Sequence, residues 1–332
     1  MDRKFQQITR SALGLLALII PLSVSSCHQD DIIPEEARRT VSFSAGLMTK
    51  AGDDGIGTLD VLVFRENGQR EAYARAGGNS VQVSLPTGMP LRWYLVANAT
   101  ASLGQMLTES DLLTSRALLD GQAPSSVTMS GKGGGTIGSG TSSVGVELSR
   151  TVSRITLECI SPVFLMDSYQ ASTVKLMGIH VINAAGSCPY TLVPDAGGIW
   201  HNRLGREPGL SKSLSGMLGS EMDMTLDGHT VEGPWTFYAC PNPTDNGIDS
   251  RTAPSWSERN TRLVVELSID GVSCYYPMTL PAMECNTEYL IREAILKGPG
   301  SASPDIPVER HDMAFTVSVR PWEQIQTDAE FR

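Results

Sequence analysis

Beyond residue 40, apolar and polar residues alternate with a period of two through most of the chain. Val41, Phe43, Ala45 and Leu47 are separated by small or polar residues, the pattern of a strand with one buried face. Val81, Val83 and Leu85 repeat it, as do Val144, Val146 and Leu148. Leu59–Phe64 (LDVLVF) and Leu91–Asn98 (LRWYLVAN) are nearly continuous apolar runs, as expected of central strands. Glu66-Asn67-Gly68 ends the first of these with a hairpin signal. Further strands are predicted over Val152–Leu157, Thr173–Asn183, Trp235–Ala239, Arg262–Ile269, Val272–Met278, Tyr289–Leu296 and Met313–Val319, with a hairpin turn at Asp270-Gly271. Gln105–Leu119 reads as a helix. Gly131–Gly140 and the segment 184–232 read as loops. Short, evenly spaced strands predict an all-β fold of antiparallel sandwiches. The length accommodates two in series, over 40–149 and 150–332, with the boundary at Ser149-Arg150.

Composition narrows the class without changing this picture. Of 332 residues, 41% are hydrophobic and 19% charged, enough apolar material for packed cores and too little charge for a disordered chain. The net charge of −10 speaks against a nucleic-acid partner, which calls for a basic surface. The 32 glycines and 19 prolines fit a turn-rich chain of strands.

The first 26 residues read as a targeting segment. Arg3, Lys4 and Arg10 precede the apolar run Ala12–Leu22, which is shorter than the ~20 residues of a membrane span. Val24-Ser25-Ser26-Cys27 resembles the lipobox of bacterial lipoproteins. That resemblance implies cleavage after residue 26 and lipid on Cys27; several acyl chains hold a protein to a bilayer where one is marginal. Residues 27–39 are then a linker, and its acidic pair Asp30-Asp31 resembles the surface-export signal of Bacteroidetes lipoproteins.

Little in the remainder suggests catalysis. Cys159, Cys188, Cys240, Cys274 and Cys285 are odd in number and form no CxxC pair, so zinc and redox sites lack support. Cys159, Cys240 and Cys274 lie in strand-like runs and read as small buried hydrophobes. Disulfides are permitted outside the cytoplasm but not demanded here. His180, His201, His229 and His311 are scattered, with no HExxH motif and no GxSxG elbow. GKGGGTIGSG lacks the ending of a phosphate loop, and Asp53-Asp54 lacks a calcium-ligand series. The reading is a non-enzyme with no cofactor and no metal.

An ordered set of stretches carries a family resemblance. The lipobox Cys27 is followed by the strand Val41–Leu47, Met48-Thr49-Lys50-Ala51-Gly52 and LDVLVF. Then come YLVANA (Tyr94–Ala99), LSRTVSRITLE (Leu148–Glu158), WTFYACPN (Trp235–Asn242), RLVVELSIDGVSCYYPMTLP (Arg262–Pro281), CNTEYLIREAILKGPGSASPD (Cys285–Asp305) and FTVSVRPWE (Phe315–Glu323). In this order the series resembles the FimA/Mfa-type fimbrillins of Bacteroidetes. The resemblance implies two tandem transthyretin-like β-sandwiches, carried to the outer membrane through the lipid on Cys27. It also implies assembly with other fimbrial subunits: a trypsin-like protease cuts after the first strand, and a strand from the next subunit fills the vacated groove.

By that resemblance, Val41, Phe43, Ala45 and Leu47 are the inward residues of the detachable strand. Lys50 is the processing site, with Arg39 as an alternative lying before the strand. Stalk subunits of the family carry a C-terminal donor extension. Here only the polar Gln324–Arg332 follows Glu323, which points to a tip or accessory subunit. The competing expectation is a lipid-anchored glycan-binding protein that would stack an exposed aromatic on a sugar ring, with Trp200 as the candidate. A tip subunit that is itself an adhesin, binding a host or glycan ligand, would unite the two.

Overall fold

The computed structural model describes residues 37–47, 55–205 and 216–322. Among the described residues, eight strands and one helix lie in the stretch up to residue 150. They are β1 (Arg38–Leu47), β2 (Thr58–Arg65), β3 (Arg70–Gly77), β4 (Ser80–Pro86), β5 (Pro90–Ala97), the helix α1 (Glu109–Thr114), β6 (Arg116–Leu118), β7 (Met129–Thr136) and β8 (Ser143–Arg150). Seven of the strands follow one another laterally in the order β3-β2-β5-β7-β8-β1-β4. The sheet folds over on itself where β7 and β8 pair only at Met129–Arg150 and Ser130–Ser149. Val41, Phe43, Val61, Val63, Leu85, Trp93, Leu95 and Leu148 fill the space between the two layers.

The second half contains β9 (Ser153–Pro162), α2 (Asp167–Gln170), β10 (Val174–Ile182), β11 (Ala184–Ala185), β12 (Ser187–Pro189), β13 (Trp200–His201), β14 (Gly219–Leu226), β15 (Val231–Ala239), β16 (Arg262–Ile269), β17 (Val272–Thr279), β18 (Thr287–Leu296) and β19 (Met313–Pro321). Two four-stranded sheets form, in the orders β14-β10-β16-β17 and β15-β9-β18-β19. The change of sheet system falls between Arg150 and Ser153. The fold is all-β, and the hairpin at Asp270-Gly271 takes the positive φ angles of 48° and 85° that a two-residue turn requires. Two strand pairs, β1–β8 and β9–β18, are parallel, where the sequence pattern suggested antiparallel pairing throughout.

The halves are joined beyond the chain itself. β6 pairs with β12, and Arg116 reaches Ser187 Oγ at 2.8 Å and Asp195 Oδ2 at 2.7 Å. The outer face of the first system, including Leu62, Phe64, Tyr94 and Val96, shares one continuous apolar cluster with the second half.

Four sequence expectations fail here. The glycine-rich run Gly131–Gly140 is a loop only from Ile137; up to Thr136 it is strand β7. A Cβ at Gly133 would overlap Trp93 Nε1, and one at Gly131 the Glu147 carbonyl oxygen. The glycines are there for close approach. The helix expected over Gln105–Leu119 shrinks to α1, where Thr108 and Asp111 form a reciprocal capping box. It stops as the chain turns extended at Ser115 and enters β6. The segment 184–232, expected to be a loop, holds β11, β12, β13 and the edge strand β14, because its alternation is broken by short polar turns. Cys240, expected to be a lone hydrophobe, is disulfide-bonded to Cys188.

The second half is fixed by a buried ion cluster. Asp305 is fully buried and meets Arg259 Nη1 at 2.8 Å, the guanidinium of Arg262, Asn183 Nδ2 at 2.9 Å and Ser250 Oγ at 2.6 Å. Both arginines are buried as well. Removing one member of such a set strands the others. Asp305→Asn is predicted to cost about 3–5 kcal/mol in urea unfolding, whereas Asp223→Asn, at the exposed pair with Lys175, changes stability by at most ~0.5 kcal/mol. Gly133→Val is predicted to lose roughly 1–3 kcal/mol by overpacking against Trp93, read as a lowered thermal midpoint.

Candidate assembly site

The first strand occupies an unusual position for a terminal segment. β1 is not an edge strand: it lies between β4, antiparallel over Arg38–Ser44, and β8, parallel over Ser42–Leu47. Among the described residues, the edge strand β4 has β1 as its only ladder partner. Ladder and flanking bonds include Ser42 N–H to Ser142 O at 2.9 Å, Ala45 N–H to Asn79 O at 2.8 Å and Thr87 N–H to Ala37 O at 2.8 Å. Without β1, a channel would open between β4 and β8, floored by the apolar interior.

The period-two pattern dictates which side chains fill that channel. Val41 and Phe43 are fully buried and Ala45 is nearly so, while Thr40, Ser44 and Gly46 face solvent. Phe43 meets Trp93 of the opposite layer edge-on, at 5.8 Å between centroids and 66°, a favoured aromatic geometry. Burial of Val41 and Phe43 is worth roughly 1.5–3 kcal/mol each, so the channel is costly to leave empty. Leu47 ends β1 opposite Leu148; its side chain lies outside the described residues, as do Lys50 and Cys27.

Arg39 does not precede the strand, contrary to the sequence expectation. It is the second residue of β1, opposite Leu85, and its guanidinium bonds the Ser139 carbonyl. Arg38 is fixed too: Nη1 meets Glu71 Oε1 at 2.7 Å and Nη2 meets Ser84 O at 2.8 Å. Two paired arginines inside a ladder are poor protease substrates, because cleavage needs an extended segment free to enter the enzyme. The sequence pattern placed the strand's start at Val41 because the two arginines break the alternation; their pairing with Glu71 and Ser139 is a long-range feature.

Trp200 is not an exposed aromatic. It is 8% exposed and packs edge-on against Trp256 at 5.5 Å. The short pairing of β11 with β13 and the Cys188–Cys240 bond fold this segment back onto the core, which removes the ring as a sugar-stacking platform. Cys159, Cys274 and Cys285 are free. Burial raises all three thiols, Cys285 to about 12, so they are protonated and weakly nucleophilic at neutral pH. Among the described residues no group of three or more His, Cys, Asp or Glu side chains is arranged to hold a metal, and no helix is long and apolar enough to cross a membrane.

Two contributors to the slot were not legible as such. Trp93 read as a core strand residue, but its partner Phe43 lies 50 positions earlier in the chain. Glu71, in a strand of charged residues, reads as surface; its side chain is only 5% exposed and also meets Arg65 Nε at 2.5 Å.

No family profile matches the chain, and no curated protein sequence matches it. Solved structures do. A candidate cell adhesion protein of Bacteroides eggerthii superposes with a TM-score of 0.65 at 19% identity, covering 86% of this chain and 96% of that one. The FimA fimbrilin of Porphyromonas gingivalis gives a TM-score of 0.59 at 15% identity over 86% and 97%. A fimbrial assembly protein of Parabacteroides distasonis gives 0.51 at 14% identity over 86% and 99%. The chain has the fold of the FimA-type fimbrillins, as its ordered sequence motifs imply.

Proposed function

We propose that this protein is a fimbrial subunit that reaches the cell surface as a lipoprotein on Cys27 and polymerises by exchange of its first strand. The observation that carries this reading is the position of β1. It is a terminal strand held between two neighbours, with Val41, Phe43 and Ala45 buried, and its sequence runs within three residues of Lys50. A trypsin-like cut after Lys50 would leave β1 held to the body by its ladder, its apolar face and the side chains of Arg38 and Arg39. A strand from another subunit can replace both, since ladder bonds supply affinity and alternate side chains supply register. Keeping the channel filled until assembly guards against indiscriminate edge pairing. Contacts of this head-to-tail kind do not close, so they propagate a filament.

The division into two transthyretin-like sandwiches near Ser149-Arg150 is supported by the change of sheet between Arg150 and Ser153. The tip or accessory position is supported by how firmly the last strand is held. Arg320 Nε meets the nearly buried Glu288 at 2.5 Å. Trp322 is 3% exposed, with the guanidinium carbons of Arg150 and Arg154 at 4.2 and 4.8 Å from its ring centroid. A subunit that lent β19 to a neighbour would give up these contacts, so this one is better suited to accept a strand than to donate one. The outer membrane and the fimbrium are its expected locations.

Two outcomes test the reading. Limited trypsin digestion of the unlipidated mature chain is predicted to cut first after Lys50 and to spare Arg38 and Arg39, as read by mass spectrometry; first cuts at Arg38 or Arg39 would contradict the role given to β1. Cys27→Ala is predicted to abolish incorporation of labelled fatty acid and surface display, while a chain that keeps its label without Cys27 would contradict the anchor.

A further inference from the structure

The backbone ladder of β1 is blind to sequence, so any selectivity for the strand that fills the slot must come from side chains. Three of the outward positions, Thr40, Ser44 and Gly46, face solvent and discriminate little. The inward positions are defined: Val41 and Ala45 flank Phe43, which sits edge-on to Trp93, and Trp93 itself is seated over Gly133. At the strand's start there is also a charge reader. Glu71 of β3 holds Arg38 of β1 at 2.7 Å and Arg65 of β2 at 2.5 Å. Its side chain is 5% exposed, and a carboxylate so enclosed is stabilised by charged partners. When β1 leaves, Glu71 keeps Arg65 and loses Arg38. Arg38 uses three donors at once, on Glu71, on Ser84 O and, at 3.4 Å, on Ser84 Oγ, a fork that lysine cannot reproduce.

We propose that the slot accepts an extended partner segment with an arginine five positions before an aromatic residue, and aliphatic side chains two positions to either side of that aromatic. This rests on the strand-addition reading above and specifies the chemistry of the partner strand. The native occupant meets the rule at Arg38, Val41, Phe43 and Ala45. The arginine-to-phenylalanine spacing recurs in the chain at Arg310 and Phe315, with Met313 and Val317 at the aliphatic positions. The rule therefore predicts that a peptide of residues 310–319 also enters the slot.

A specific protease site placed in 48–54 of the unlipidated mature chain makes the cut independent of Lys50. The cut protein, still holding its own β1, is mixed with fluorescent peptides and exchange is followed by anisotropy. The peptide of residues 38–47 is expected to exchange in, and that of 310–319 to bind within about tenfold of it. An Arg38→Gln peptide is expected to bind about tenfold more weakly, with Arg38→Lys between the two. A Phe43→Ala peptide should bind on the order of a hundredfold more weakly. In a chain carrying Glu71→Gln, the arginine preference should fall sharply, leaving what Ser84 supplies, while the phenylalanine preference remains. Equal binding of the Arg38→Gln and native peptides, or an arginine preference unchanged by Glu71→Gln, overturns the rule and leaves strand addition standing. Exchange of no peptide at all overturns both.

Discussion

The packing of Phe43 against Trp93, inside a ladder that only β1 completes, is the constraint on which the first half of the molecule depends. Among the described residues β4 has no other ladder neighbour, and the interior between the layers is closed by the same strand. Two glycines of β7 serve this contact: Gly133 and Gly135 leave room for the indole of Trp93, while Gly131 lets β7 approach the backbone of β8. One cross-layer contact thus accounts for Gly133 and Gly135 and for the apolar position at the centre of β1.

The second half is built the opposite way. A disulfide, a buried Arg259–Asp305–Arg262 cluster and the clasp on β19 by Glu288 and Trp322 tie its elements to one another. Charge pairs this enclosed stabilise less than their Coulomb attraction suggests, but they strongly oppose partial separation, because each lost partner strands a buried charge. β1 has nothing comparable along its buried face: below Arg38 and Arg39 it is held by apolar side chains and ladder bonds, which any strand of similar pattern can supply. The molecule thus combines a first strand held by apolar packing and ladder bonds with a second half held by a disulfide and buried ion pairs.

The architecture was legible in the sequence wherever burial followed a strict period of two. Val41–Leu47, LDVLVF, LRWYLVAN and the Asp270-Gly271 hairpin all signal themselves locally. The failures share a cause. Gly131–Gly135 looks like a loop unless Trp93 is known to lie over Gly133 and Glu147 to lie against Gly131. Arg38 and Arg39 look like a linker unless Glu71 and Ser139 are known to be near. Trp200 looks free in a poorly patterned segment until Trp256 and the Cys188–Cys240 bond enclose it. In each case the deciding partner lies far along the chain, where no local pattern points to it. The inward positions Val41, Phe43 and Ala45 were readable; Glu71, the enclosed partner of Arg38, was not.

The central claim is that β1 is both integral and replaceable, and amide hydrogen exchange on the mature chain before and after a cut in 48–54 tests it most directly. Intact protein should show β1, β4 and β8 among its slowly exchanging amides. After cutting and washing away the released strand, exchange should rise sharply in β4 and along the β1-facing edge of β8, stay slow in β9, β10, β16 and β18, and return to its first value when the peptide of residues 38–47 is added. Protection in β4 and β8 that survives loss of β1, or a collapse that spreads through the second half, would contradict the account.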